Sequence, residues 1–305
     1  MPVSYPYTQY SGVWTLDQAG AAQGAGTWPT PPSPHLYGWG YNVYGNLGLG
    51  NTTDYSSPKQ IGALTNWSQV AGGQAHTVAI KTDGTLWTWG YNSKGQLGLG
   101  NTTAYSSPKQ VGSLSDWLTV SAGYENFIAL KTNGTLWSCG AGQWGGLGNG
   151  ATANTSSPVQ IGALTTWSQI SNGYGCVLAI KTDGTLWAWG FNPTGQLGNG
   201  NTIYYSSPIQ IGALTNWKQV SFGTYCSSAI KTDGTLWAWG SNAFGVLGNG
   251  STAFYSSPIQ VGALTNWKQI SFTSYTPVTD SGTFSAIKTD GTLWACGYNN
   301  FGQLG

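Results

Sequence analysis

Charge is the first thing this sequence lacks. Only 6% of its 305 residues are Asp, Glu, Lys or Arg. Arginine is absent, Glu125 is the sole glutamate, and the formal net charge is +1. Nucleic-acid binders set clustered Lys and Arg against phosphate, so no nucleic-acid partner is expected. Long apolar runs are missing too. No stretch approaches the roughly 18 residues that a bilayer span requires, and Met1–Tyr10 has neither the basic start nor the apolar stretch of a secretory signal. Membrane insertion is therefore not expected.

Metal-ligating residues are few: four cysteines without a C-x-x-C pair, and two histidines, His35 and His76. Neither a structural zinc site nor a cofactor is expected. Nucleophile elbows, P-loops, H-E-x-x-H and dinucleotide fingerprints are all absent. General acid–base catalysis needs two groups whose pKa values are driven apart, and no such pair can be named. The sequence thus reads as non-enzymatic.

What is abundant is glycine (47), tryptophan (17) and a repeat. The glycine closing a Trp-Gly pair or its equivalent falls at Gly40, Gly90, Gly140, Gly190, Gly240 and Gly297. Ser-Ser-Pro recurs with Pro58, Pro108, Pro158, Pro208 and Pro258, a period of about fifty residues. One unit reads N-W-x-x-V/I, then A-I-K-T-D-G-T-L-W-x-W-G, then N-x-x-G-Q-L-G-x-G, then Y-S-S-P-x-Q-I/V-G. Two apolar runs flanking Asp-Gly predict a hairpin with a tight type I′ turn. N-W-x-x-V predicts a third strand, and P-x-Q-I/V-G a fourth that begins at proline, where a missing N–H costs least.

Four short antiparallel strands repeated at this spacing predict an all-β fold, a β-propeller of four-stranded blades over residues 36–305. Fourteen tryptophans fall on three repeat positions and suit blade-to-blade packing, leaving Trp14, Trp28 and Trp144. Cys139 and Cys296 stand where other copies carry tryptophan and read as buried apolar substitutes. Cys176 and Cys226 share a repeat position; a disulfide or two thiols would both suit them.

The run from Val70 to Gly100, V-A-G-G-Q-A-H-T-V-A-I-K-T-D-G-T-L-W-T-W-G-Y-N-S-K-G-Q-L-G-L-G, resembles the repeat of the regulator of chromosome condensation family. The resemblance implies a propeller, usually of seven blades. Five full copies plus a partial one are present, so seven blades are expected if the chain continues beyond residue 305. Nucleotide exchange on a small GTPase and chromatin binding are also implied by the family, but they depend on charged surfaces and a basic tail that this sequence lacks.

Residues 1–35 break the repeat and read as an anchor segment with a Pro-rich linker. Their G-V-W-T-L…Q-A…A-G-T-W-P pattern resembles a short segment of bacteriophage, especially cyanophage, virion proteins. It implies an appendage protein such as a tail fibre, spike or decoration subunit, located on the virion surface or extracellularly. Trp14, Leu16 and Trp28 would pack onto other virion subunits or copies of the same chain. The alternative is a non-viral propeller adaptor or lectin.

Candidate binding residues are the aromatics of the variable loops: Tyr44, Trp144 and Phe244 in one, and Tyr55, Tyr105, Tyr205 and Tyr255 in another. Tyr124, Tyr174, Tyr225 and Tyr275 lie in a third. Aromatic faces beside amides and hydroxyls suit a protein partner or host-surface glycans. The insertion from Thr273 to Gly282 in the last copy is expected to protrude.

Overall fold

The computed structural model describes residues 35–63, 65–273, 282–300, 302, 304 and 305. The expected anchors Trp14, Leu16 and Trp28 lie outside these residues, as do Tyr275 and the interior of the insertion.

The described residues form antiparallel sheets in chain order. The first has two strands, β1 (Tyr37–Gly40) and β2 (Tyr55–Gln60). Four four-stranded sheets follow. They are β3 (Trp67–Gly72), β4 (His76–Lys81), β5 (Leu86–Gly90) and β6 (Tyr105–Gln110); β7 (Trp117–Ala122), β8 (Asn126–Lys131), β9 (Leu136–Gly140) and β10 (Thr155–Gln160); β11 (Trp167–Asn172), β12 (Cys176–Lys181), β13 (Leu186–Gly190) and β14 (Tyr205–Gln210); and β15 (Trp217–Phe222), β16 (Cys226–Lys231), β17 (Leu236–Gly240) and β18 (Tyr255–Gln260). The last sheet has three strands, β19 (Trp267–Thr273), β20 (Thr283–Lys288) and β21 (Leu293–Gly297). This is the propeller architecture that the repeat predicts.

The hairpin between the second and third strands of each blade differs from the expected type I′ turn. In the blade of β3–β6, Gly84 N–H donates to Lys81 O, and Lys81 N–H to Thr85 O. Asp83 does not take positive φ; Gly84 does, at 76°. The connection is therefore a Thr82-Asp83 turn followed by a left-handed glycine bulge. Asp83 Oδ1 accepts from Thr85 N–H (3.0 Å) and Thr85 Oγ1–H (2.6 Å), and Thr85 Oγ1 in turn accepts from Trp87 Nε1–H (2.8 Å). Asp183–Thr185–Trp187 and Asp233–Thr235–Trp237 repeat the chain.

The fourth strand also departs from expectation. It starts at the tyrosine or threonine before Ser-Ser-Pro, so Pro108 lies inside β6 rather than at its first residue. Proline is tolerated because β6 is the outer strand and its register slips between Thr88 and Gly90 of β5, leaving no ladder bond to lose.

The core lies between blades. The second strands β8, β12 and β16 are buried along their whole length because both of their faces are packed. One cluster joins Leu178, Ile180 and Leu186 of one blade to Trp217, Phe222 and Trp239 of the next. Trp89, Trp189 and Trp239 are fully buried, and Trp239 Nε1 donates across the blade junction to Gln196 O at 2.8 Å. Gly198, at φ 82°, makes that approach feasible: a Cβ there would lie 2.7 Å from Trp239 Nε1. The terminal sheets differ in exposure. Trp39, at the position of Trp89, is 59% exposed, and Leu293, whose equivalents Leu86, Leu136 and Leu186 are fully buried, is 70% exposed.

The five repeat lysines bury their stems and stack on tryptophan. Lys181 Nζ lies 3.5 Å from the Trp187 ring centroid and 5.0 Å from that of Trp167. Lys131 adds an ion pair to Asp116 at 3.2 Å. Burial lowers the Lys181 pKa, and Asp183 opposes the shift. Cys139 is buried as expected of a tryptophan substitute, its thiol pushed up to about 12 by desolvation. No disulfide joins the four cysteines.

Candidate binding face

Antiparallel strands send the turn between first and second strands, and the loop after the third, to the same end of the propeller. The variable aromatics collect at this end. The loop after the third strand is built by one buried asparagine. Asn192 Oδ1 accepts from Leu197 N–H (2.9 Å), while its Nδ2 donates to Asn201 O and Ile203 O (both 3.0 Å). Asn42, Asn92 and Asn242 do the same work in their loops. In the loop after β9 glycine replaces the asparagine, and Gly142 N–H donates to Asn154 Oδ1 at 3.1 Å. The residue two places after this position is carried over the next blade.

At three junctions that residue is aromatic and meets the residue following the next Trp-Gly or Cys-Gly pair. Tyr44 meets Tyr91 with centroids 4.6 Å apart, Trp144 meets Phe191 at 4.5 Å, and Phe244 meets Tyr298 at 5.1 Å. At the central junction the contacts spread. Trp144 touches Tyr174 (5.4 Å), which touches Tyr124 (4.6 Å) and Tyr225 (5.8 Å), and Phe191 touches Tyr204 (5.1 Å). Six rings from three blades thus form one continuous aromatic surface.

Trp144 is its hub and is held unusually. Among the described residues it is the one non-glycine with positive φ, at 59°. Such strain in a non-glycine residue persists only where its surroundings over-determine it. Here the ring rests on Gly175, where a Cβ would come within 2.8 Å of Trp144 Cε3. Beside the hub, Tyr124, Glu125, Asn126, Ala141, Gln143, Trp144 and Gly175 line a cavity of about 10 Å³. Burial raises the pKa of Tyr174, with Tyr124 and then Glu125 adding to the shift.

The other expected binding residues sit differently. Tyr55, Tyr105, Tyr205 and Tyr255 begin the outer strands and are half-buried. Tyr205 and Tyr255 pack on the core, and the hydroxyls of Tyr55 and Tyr205 accept from Asn51 (3.2 Å) and Asn201 (3.1 Å). These rings do not join the Trp144 surface. Phe191, Glu125 and Asn126 do belong there, and sequence reasoning did not single them out as binding residues. An aromatic directly after Trp-Gly, as in Tyr91 and Phe191, was the available signal. His76 is 1% exposed, and burial drives its pKa down to about 4. Among the described residues no three His, Cys, Asp or Glu side chains converge as a metal site, and no helix is long and apolar enough to cross a membrane.

Comparison with known proteins agrees with this architecture. The Regulator of chromosome condensation (RCC1) repeat matches residues 35–80, 83–130, 133–180, 183–230 and 233–275. The ultraviolet-B receptor UVR8 of Arabidopsis thaliana is 43% identical over 54 residues, which span 17% of this chain and 12% of the receptor. Among solved structures, human WBSCR16 superimposes with a TM-score of 0.75 at 24% identity, covering 88% of this chain and 72% of that one. Prp20p of Saccharomyces cerevisiae, studied for its binding to Gsp1p and histones, superimposes at 0.77 and 21% identity, covering 90% and 69%. At these identities the likeness shows the fold. With the repeat matched over most of its length, the chain belongs to the Regulator of chromosome condensation (RCC1) repeat family.

Proposed function

We propose that this chain is a non-enzymatic propeller that binds a protein partner through the Trp144 aromatic face. The observation that carries this reading is the continuous surface of six rings around a tryptophan held at positive φ. Aromatic anchors clustered on a rigid scaffold are what protein interfaces use as energetic centres. Prp20p offers a precedent for the fold as a protein-binding scaffold, in its binding to Gsp1p and histones. The low charge of this chain argues for a different partner.

Panning a random displayed-peptide library tests the reading. Peptides selected on the wild-type protein should lose binding to Trp144→Ala and keep it on Tyr105→Ala. Peptides indifferent to Trp144→Ala would refute it. Display on a phage particle is the finer reading suggested by residues 1–35. It rests on those residues alone, since the family match begins at residue 35, and a cellular adaptor fits the propeller equally well. Co-purification with particles separates the two.

A further inference from the structure

Every described carboxylate but one has a structural task. Asp83, Asp183, Asp233 and Asp290 accept hydrogen bonds in their hairpin turns. Asp54 accepts from Asn42 N–H, and Asp116 pairs with Lys131. The exception is Glu125, the sole glutamate. Its neighbours at the same repeat position are Ala75, Gly175 and Tyr225, so the repeat does not demand a carboxylate there. No lysine among the described residues pairs with it, Lys94 of the neighbouring loop included.

Glu125 is half-buried and lines the 10 Å³ cavity together with Tyr124 and Trp144. That volume takes about one water-sized group. An ammonium is of that size. Asn126, 2% exposed, also lines the cavity. Its Nδ2 has no partner, while its Oδ1 accepts from Asn172 Nδ2 at 3.0 Å; Asn172 Oδ1 has no partner either. If both amides turned together, giving up the 3.4 Å bond from Asn172 Nδ2 to Ser121 O, Asn126 Oδ1 would be released to accept from an ammonium, and Asn126 Nδ2 would donate to Asn172 Oδ1. A carboxylate, aromatic faces and an amide oxygen around a water-sized cavity are the elements of an ammonium site.

We propose that Glu125, Tyr124, Trp144 and Asn126 form a receptor for the primary ammonium of a lysine side chain presented by the protein partner. This rests on the protein-binding reading of the same face and specifies its chemistry. The test is a titration followed at the assigned Trp144 indole N–H resonance, using N-acetyl-lysine N-methylamide, its uncharged norleucine analogue and methyl glucoside as probes. The lysine probe should give a saturable shift and the norleucine analogue none. Glu125→Gln should weaken the lysine probe about tenfold, the scale of one lost charge-assisted contact. Equal shifts from lysine and norleucine probes, no saturable lysine shift, or an unchanged response in Glu125→Gln would each overturn the proposal. A shift by methyl glucoside alone would overturn it and assign the face to sugars. If the lysine probe fails while panned peptides still require Trp144, the ammonium site falls and the protein-binding face stands.

Discussion

His76 should make the propeller acid-labile in a defined window. It opens β4, with both ring nitrogens buried and without hydrogen-bond partners. Desolvation is the main cause of its fall from 6.5 to about 4, partly offset by a backbone interaction with Asn126. Between these values the unfolded chain binds a proton that the folded chain refuses. Stability is therefore complete above the unfolded value and falls as pH drops through 6.5 toward 4. At 1.36 kcal/mol per unit, the loss is about 2 kcal/mol by pH 5 and about 2.5 kcal/mol by pH 4.5. The turn aspartates, held below their usual range chiefly by their threonine hydroxyls, lose their contribution only at lower pH. Urea unfolding from pH 7.5 to 4.5 should show this decline in the wild type. His76→Asn, which installs the residue that the next blade carries at this position, should show little of it. Parallel curves for the two proteins would refute the burial argument.

Gly198→Ala should destabilise more than Gly212→Ala. Both glycines have positive φ, but a Cβ at 198 meets Trp239 while one at 212 meets nothing within 4 Å. Thermal melts should put the difference at about 1–3 kcal/mol, the cost of overpacking. Thr185→Val removes the acceptor for Trp187 Nε1 and should cost about 1–2 kcal/mol in urea unfolding; no loss would mean that the hydroxyl chain is idle. Ellman's reagent at pH 8 should leave Cys139 and Cys176 unmodified in the folded protein, since burial raises both thiols, and should modify them in guanidinium. Gly175→Ala should lift Trp144 from its seat and abolish panned-peptide binding, with far-UV circular dichroism unchanged.

The propeller was legible because its determinants are local and repeated. Each copy of K-T-D/N-G-T-L-W states a hairpin, and five copies spaced by about fifty residues leave few other folds. The details that sequence missed depend on competition within a motif. Asp-Gly is compatible with type I′, yet here Asp83 spends its carboxylate on Thr85 and leaves positive φ to Gly84 alone. Pro108 looked like a strand start because a proline cannot serve a ladder. The slip opposite it, which removes that demand, is a property of two strands at once.

The binding face was legible only as composition, for a different physical reason. Trp144 stood out because the repeat does not require it, and the same logic applied to Glu125 would have marked both. What the sequence could not state is adjacency across blades. Trp144 lies in the loop after β9, Tyr174 and Phe191 in connections of the next blade, and Trp144 meets them only once the blade-to-blade rotation is fixed. Tyr205 looks equivalent as a loop aromatic but spends its ring on the core and its hydroxyl on Asn201. Residues that the repeat demands are committed to packing by that demand. In a propeller with so few charges, a carboxylate exempt from every structural task is therefore the residue from which a partner should be sought.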